Sequence, residues 1–165
     1  MLIKDIPEYK DKKNNMLIIE ESLSIYDAVE KMVERNFGAA IVAKNKKVIG
    51  MFTERDILKK VVAKRKDIES LKVSDVMTRE VKVAREEDAI ADLMRRMTQG
   101  RFRHLPIVDK EGNIINMLSQ GDLVSYSWPR ITKIFQRSFM ANTQVWMMFI
   151  GILVYTVAIL VVVKL

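Results

Sequence analysis

The chain has 165 residues, 49% of them hydrophobic and 30% charged, with a net charge of +7, no cysteine and a single histidine. Disulfides and thiolate metal sites are therefore excluded, and His104 alone builds neither a metal centre nor a catalytic triad. The basic clusters at Lys44, Lys46, Lys47 and over residues 59–66 have no interleaved aromatic residues, so they read as solvated faces and nucleic acid is not expected as a partner.

Residues 2–7 open the chain with a short apolar segment that lacks the hydrophobic core of a secretory signal, and residues 8–15 form a polar loop. Residues 16–19 read as a short strand. Ser22 to Ser24 supply a cap for the next helix, in which Ile25, Ala28, Val29, Met32 and Val33 recur at helical spacing as one buried stripe. Asn36-Phe37-Gly38 ends that helix, with glycine as the expected terminator. Residues 39–43 and 48–52 form a hairpin about the turn at residues 45–47, and a Thr53-capped helix follows to about residue 62.

The second half repeats this order. Residues 73–78 parallel residues 3–8, residues 80–84 are the short strand, and helix 89–98 carries Ile90, Leu93, Met94 and Met97 on its buried face. A hairpin of strands 104–109 and 114–118 leads into a helix over 121–127. The methionines at 32, 51, 94, 97 and 117 read as core filling. Each half is thus strand–helix–strand–strand–helix, an α+β unit too small to bury much surface alone, so the halves are expected to pack as one pseudo-twofold body.

The clearest duplication is Gly50-Met51-Phe52-Thr53-Glu54-Arg55-Asp56 against Asn116-Met117-Leu118-Ser119-Gln120-Gly121-Asp122. The same interval separates Thr53 from Ser119 and Asp56 from Asp122, and a fixed interval marks an internal repeat. An apolar run ending in Thr or Ser with Asp three residues later describes a strand entering a helix, the hydroxyl capping and the carboxylate closing a capping box. Capping alone accounts for one such copy; a carboxylate there is also placed to accept hydrogen bonds from ribose hydroxyls.

These motifs, with Asp75-Val76-Met77-Thr78 and Arg101-Phe102-Arg103-His104-Leu105-Pro106-Ile107-Val108-Asp109, resemble a pair of CBS domains, or Bateman module, over residues 1–127. The resemblance implies tandem repeats at 1–63 and 67–127 that leave two related clefts for an adenosine-containing ligand: AMP, ADP, ATP or S-adenosylmethionine. It places Thr53 with Asp56, and Ser119 with Asp122, on ribose, Arg103 and His104 on phosphate, and Thr78 and Pro106 at the adenine pocket. No obligatory cofactor, metal or catalytic residue is implied. In the first repeat Pro7-Glu8 replaces Met77-Thr78, Ile41 replaces Pro106 and no Arg-His pair precedes it, so one occupied cleft is expected rather than two.

The tail differs in composition. Residues 145–163 carry no charge, and as a helix at ~1.5 Å per residue they extend about 28 Å, near the ~30 Å hydrocarbon thickness of a bilayer. They read as a single C-terminal transmembrane helix with Trp146 at the interface. Arg130, Lys133 and Arg137 in the basic amphipathic linker 128–144 put the CBS repeats on the cytoplasmic side. The expectation is a membrane-anchored sensor, not an enzyme, that forms a homodimer and signals to a membrane or membrane-proximal protein. The alternative is a ligand-independent dimerisation scaffold tethered to the bilayer.

Overall fold

A computed structural model describes residues 1–11, 16–126, 146–154 and 159. The first half contains α1 (Pro7–Asp11), β1 (Ile18–Ile19), α2 (Ile25–Glu34), β2 (Ala39–Lys44), β3 (Lys47–Thr53) and α3 (Glu54–Asp56). From α3 the chain continues as a π-turn over Ile57–Val61 and a 3-10 turn over Val62–Lys64. The second half contains α4 (Val73–Val76), α5 (Ile90–Gly100), β4 (His104–Val108) and β5 (Ile114–Ser119), with residues 120–126 helical. β1 runs parallel to β2, which pairs antiparallel with β3, and β4 pairs antiparallel with β5.

Ser24 caps α2 by accepting from the Asp27 N–H at 3.0 Å. Ile25, Ala28 and Met32 are buried as the spacing predicts, but Val33 is 73% exposed. It lies about 80° round the helix from Ile25, at the edge of the stripe rather than inside it. The left-handed residue that ends α2 is Asn36 (φ 55), not Gly38. Asparagine tolerates that conformation, and Gly38 instead leaves room for the Glu54 carboxylate, which a Cβ there would meet at 3.1 Å.

The strand expected at residues 80–84 is reduced to one parallel bridge, Ala84 with Ile107. Proline chemistry explains the loss. In the first half the Ile41 N–H donates to the Leu17 carbonyl at 2.8 Å, extending the β1–β2 pairing. The matching residue in β4 is Pro106, which has no N–H to donate. Only the bonds from Ala84 N–H to the Pro106 carbonyl (3.0 Å) and from Val108 N–H to the Ala84 carbonyl (2.9 Å) remain.

The halves are joined by a reciprocal exchange of their leading segments. Leu2 bridges Ala89, and the Ile3 and Lys4 N–H groups donate to the Asp88 and Glu86 carbonyls. Conversely Lys72 bridges Ser24, while Val73 and Ser74 donate to Leu23 and Glu21. Each leading segment therefore covers the start of the other half's helix. Side chains follow the backbone: Val73, Val76 and Met77 of the second half belong to the core cluster of Leu17, Ile19, Ile25, Met32, Val42 and Phe52. A second cluster joins Ala39, Ile41 and Met51 to Met117. The methionines at 32, 51, 97 and 117 are buried, and Met94 is half-buried.

Two compact units are distinguished, Met1–Leu123 and Val124–Leu165. Within the second, residues 146–154 are helical and the Trp146 and Phe149 rings meet edge to face with centroids 6.5 Å apart. The linker 128–144 and, within the expected span, residues 145, 155–158 and 160–163 lie outside the described residues. No helix among the described residues is long and apolar enough to cross a membrane.

Because the first core is completed by the second half, residues 1–63 alone should show no cooperative thermal transition by circular dichroism. In the intact chain Val76→Ala, at a site 1% exposed, should cost about 2 kcal/mol in urea denaturation.

Candidate functional site

The end of β3 builds the site. Thr53 is extended (φ −134, ψ 159) and turns the chain into α3. Its hydroxyl accepts from the Asp56 N–H at 3.3 Å and donates to Asp56 Oδ2 at 2.6 Å, and its own N–H donates to the same oxygen at 3.1 Å. The capping box read from the sequence is present, and it recurs at the end of β5. There Ser119 N–H and Oγ donate to Asp122 Oδ2 at 2.8 and 2.6 Å, and Asp122 N–H donates to Ser119 Oγ at 3.1 Å.

The exchanged leading segment delivers Thr78 to the first of these caps. Met51 and Thr78 form an antiparallel bridge, Met51 N–H to Thr78 carbonyl at 2.9 Å and Thr78 N–H to Met51 carbonyl at 2.8 Å. Gly50 permits this approach, since a Cβ there would stand 2.5 Å from Met77 Sδ and 3.3 Å from the Thr78 carbonyl oxygen. Thr78 Oγ1 then donates to Asp56 Oδ1 at 3.0 Å. Lys60 Nζ completes the cluster, 2.7 Å from Asp56 Oδ1, 2.6 Å from the Val76 carbonyl and 3.2 Å from Thr78 Oγ1. Asp56 is only 7% exposed, so these partners offset the desolvation of its charge.

A cavity of about 340 Å³ opens beside this cluster. Thr53, Asp56, Thr78, Arg103 and His104 line it, so five of the eight residues picked from the sequence come together. Ser119, Asp122 and the buried Pro106 are not among its lining residues. Arg103 and His104, grouped with the second repeat in sequence, stand on the wall that Thr53 and Asp56 of the first repeat close. Gly38 and Ala39 hold the matching places in the first half, which leaves those places without charge.

Sequence reading missed several lining groups: Glu54, Arg55, Glu80, Lys82 and Arg101. Arg55 Nη1 reaches across the halves to the Arg101 carbonyl at 2.6 Å. Lys60 lies in the basic run at residues 59–66 that reads as a solvated face, although its place four residues after Asp56 is the spacing of an ion pair. Asn116, which stands where the first half has Gly50, is buried; its Oδ1 accepts from the Met117 N–H at 2.8 Å, and its Nδ2 has no hydrogen-bond partner among the described residues. The leading segment of the first half coils into α1 instead of pairing as Thr78 does.

Burial holds the His104 imidazole below its ordinary value of 6.5 by desolvating the charged form, and the Arg103 guanidinium acts in the same direction. The carboxylates of Glu54 and Asp122 oppose both.

The family model for the CBS domain matches residues 3–63 and again residues 73–128. The chain belongs to the CBS-domain family. It is similar to the mitochondrial CBS domain-containing protein CBSX3 of Arabidopsis thaliana, 38% identical over 61% of this chain, and it spans 51% of that relative's length. A CBS-domain protein from Agrobacterium tumefaciens superposes with a TM-score of 0.68 at 29% identity, covering 76% of this chain and 98% of that one. A more distant CBS domain pair, 21% identical with a TM-score of 0.62, covers 84% of this chain and 98% of its own, and was solved with 5′-methylthioadenosine and S-adenosyl-L-methionine. The tandem CBS α+β fold is thereby established.

The lowered His104 value carries a signed consequence. The folded state resists protonating this residue, so its share of stability is present above pH 6.5 and is lost as pH falls below that value. Melting temperature measured calorimetrically between pH 7.5 and 5.5 should fall less steeply for His104→Gln than for the native chain.

Proposed function

We propose that this CBS pair is a regulatory module, not an enzyme, which binds an adenosine-containing ligand (AMP, ADP, ATP or S-adenosylmethionine) in the cleft beside Thr53 and Asp56. The observation that carries this reading is the placement of a buried carboxylate, a threonine pair and a basic wall around one nucleoside-sized cavity. Asp56 and Thr53 are the ribose contacts, Thr78 borders the base, and Arg103 with His104 meets phosphate. Ser119, Asp122 and Pro106 are assigned to the second cleft, where Gly38 and Ala39 stand in place of Arg103 and His104 and occupancy is weaker. The occupied CBS pair at 21% identity supports the nucleoside part of the reading.

Charge narrows the choice of ligand. Arg55, Lys82, Arg101 and Arg103 line the cavity against Glu54, Glu80 and an Asp56 already paired with Lys60. A net basic wall favours an anionic phosphate tail over a sulfonium, because arginine pairs with phosphate oxygens in a fixed fork. Binding regulates only if it favours one arrangement of the repeats over another. The tail adds a location: residues 145–163 are the proposed single membrane span, the linker 128–144 rests on the anionic surface, and the CBS pair lies on the cytoplasmic side. A homodimer that acts on a membrane or membrane-proximal protein is the proposed assembly.

A ligand-independent scaffold is the competing reading, and the saturation of Asp56 by internal partners fits it. A basic cavity wall, however, is not something a scaffold requires.

Calorimetric titration of the full chain in detergent with AMP, ADP, ATP and S-adenosylmethionine should give heat with the nucleotides. Arg103→Ala should weaken nucleotide binding about tenfold and leave adenosine nearly unchanged. Absence of heat with all four compounds would sink the sensor reading and leave the scaffold. For the location, the full chain should float with anionic liposomes in a density gradient, while a chain ending at residue 127 should stay at the bottom; flotation of neither would remove the anchor.

A further inference from the structure

We propose that Lys60 is a built-in competitor for the Asp56 carboxylate, one that a diol-bearing ligand must displace to enter the cleft. This rests on the ligand reading above.

The accounting of lone pairs and protons leads to it. A carboxylate offers about four acceptor sites. Asp56 already takes the Thr53 N–H and hydroxyl on Oδ2, and the Thr78 hydroxyl and Lys60 ammonium on Oδ1. Lys60 in turn has three ammonium protons and three acceptors: Asp56 Oδ1, the Val76 carbonyl and Thr78 Oγ1. Both groups are saturated, and two incoming ribose hydroxyls find no open site on Asp56.

A partner has to leave before even the first ribose hydroxyl can bind, and the four differ in how firmly they are held. Thr53 belongs to the same capping box, and Thr78 is held by the two backbone bonds to Met51. Lys60 is tied by its side chain alone, on a flexible stem, with 37% of that side chain already exposed. Its ammonium regains hydration on leaving, so it is the exchangeable partner. The π-turn that begins directly after Asp56, with Val62 N–H bonded to the Ile57 and Leu58 carbonyls, is the segment that carries Lys60 over this junction.

Lys60 also ties two halves together, since Asp56 belongs to the first repeat and Val76 and Thr78 to the second. Its departure removes a donor from both second-repeat acceptors at once. Ligand entry is thereby coupled to the contact between repeats. The device is one-sided: the residue at the same interval in the second half is Tyr126, which has no ammonium.

The test is calorimetry with adenosine, which carries the diol and no phosphate, on the full chain and on Lys60→Met, which keeps the stem and removes the charge. Adenosine should bind the variant about tenfold more tightly. Equal affinity for both proteins overturns the competitor role alone, and weaker binding to the variant overturns it by making Lys60 a ligand contact. Binding to neither sinks the ligand reading and the competitor role together. A second measurement needs no substitution: the Lys60 side-chain ammonium signal in a proton–nitrogen spectrum of the native chain should be protected without ligand and lost on adding adenosine. A signal that persists at saturation overturns the proposal.

Discussion

Two hydrogen bonds between Met51 and Thr78 hold the architecture of the site. They carry the leading segment of the second repeat against the last strand of the first, and Gly50, with no Cβ to crowd Met77 and the Thr78 carbonyl, leaves room for them. Through them Thr78 reaches Asp56 and the Val76 carbonyl comes within range of Lys60, while Arg103 and His104 line the same cavity as the Thr53 cap. Without that contact Asp56 would still cap a helix, but the Thr78 hydroxyl would not be delivered to it.

The same exchange makes the two repeats thermodynamically inseparable. Val73, Val76 and Met77 fill a core whose other members come from the first repeat, and the bridge between Leu2 and Ala89 reciprocates on the far side. A small repeat gains the burial it lacks by borrowing from its neighbour. Any ligand that alters the seating of residues 76–78 therefore acts on the packing of both halves. That is the physical basis for reading the module as regulatory: site and interface share the same residues.

Much of the fold was legible because its signals are local. The duplicated Thr53/Asp56 and Ser119/Asp122 caps, the hairpins and the amphipathic helices each depend on neighbours within a few residues. Errors arose where a distant partner decides. The alternating stretch at residues 80–84 has strand character, but its pairing depends on a donor that Pro106 lacks. Val33 lies at the margin of a stripe whose width only packing defines. Lys60 looked like one lysine in a solvated run, because its acceptors at Val76 and Thr78 come from the other half. The grouping of Arg103 and His104 with the first-repeat cap was hidden for the same reason. Hydropathy alone speaks for a membrane span over residues 145–163, of which 145, 155–158 and 160–163 lie outside the described residues.

The account turns on one cleft, bounded by Thr53, Asp56, Thr78, Arg103 and His104, as the seat of a nucleoside. A crystal structure of the chain grown with ADP tests this most directly. The account predicts density for the nucleotide in that cleft, ribose hydroxyls on the Asp56 carboxylate and phosphate beside Arg103. Nucleotide density confined to the Ser119 and Asp122 side, with the Asp56 cleft empty and Lys60 still in place, would contradict it.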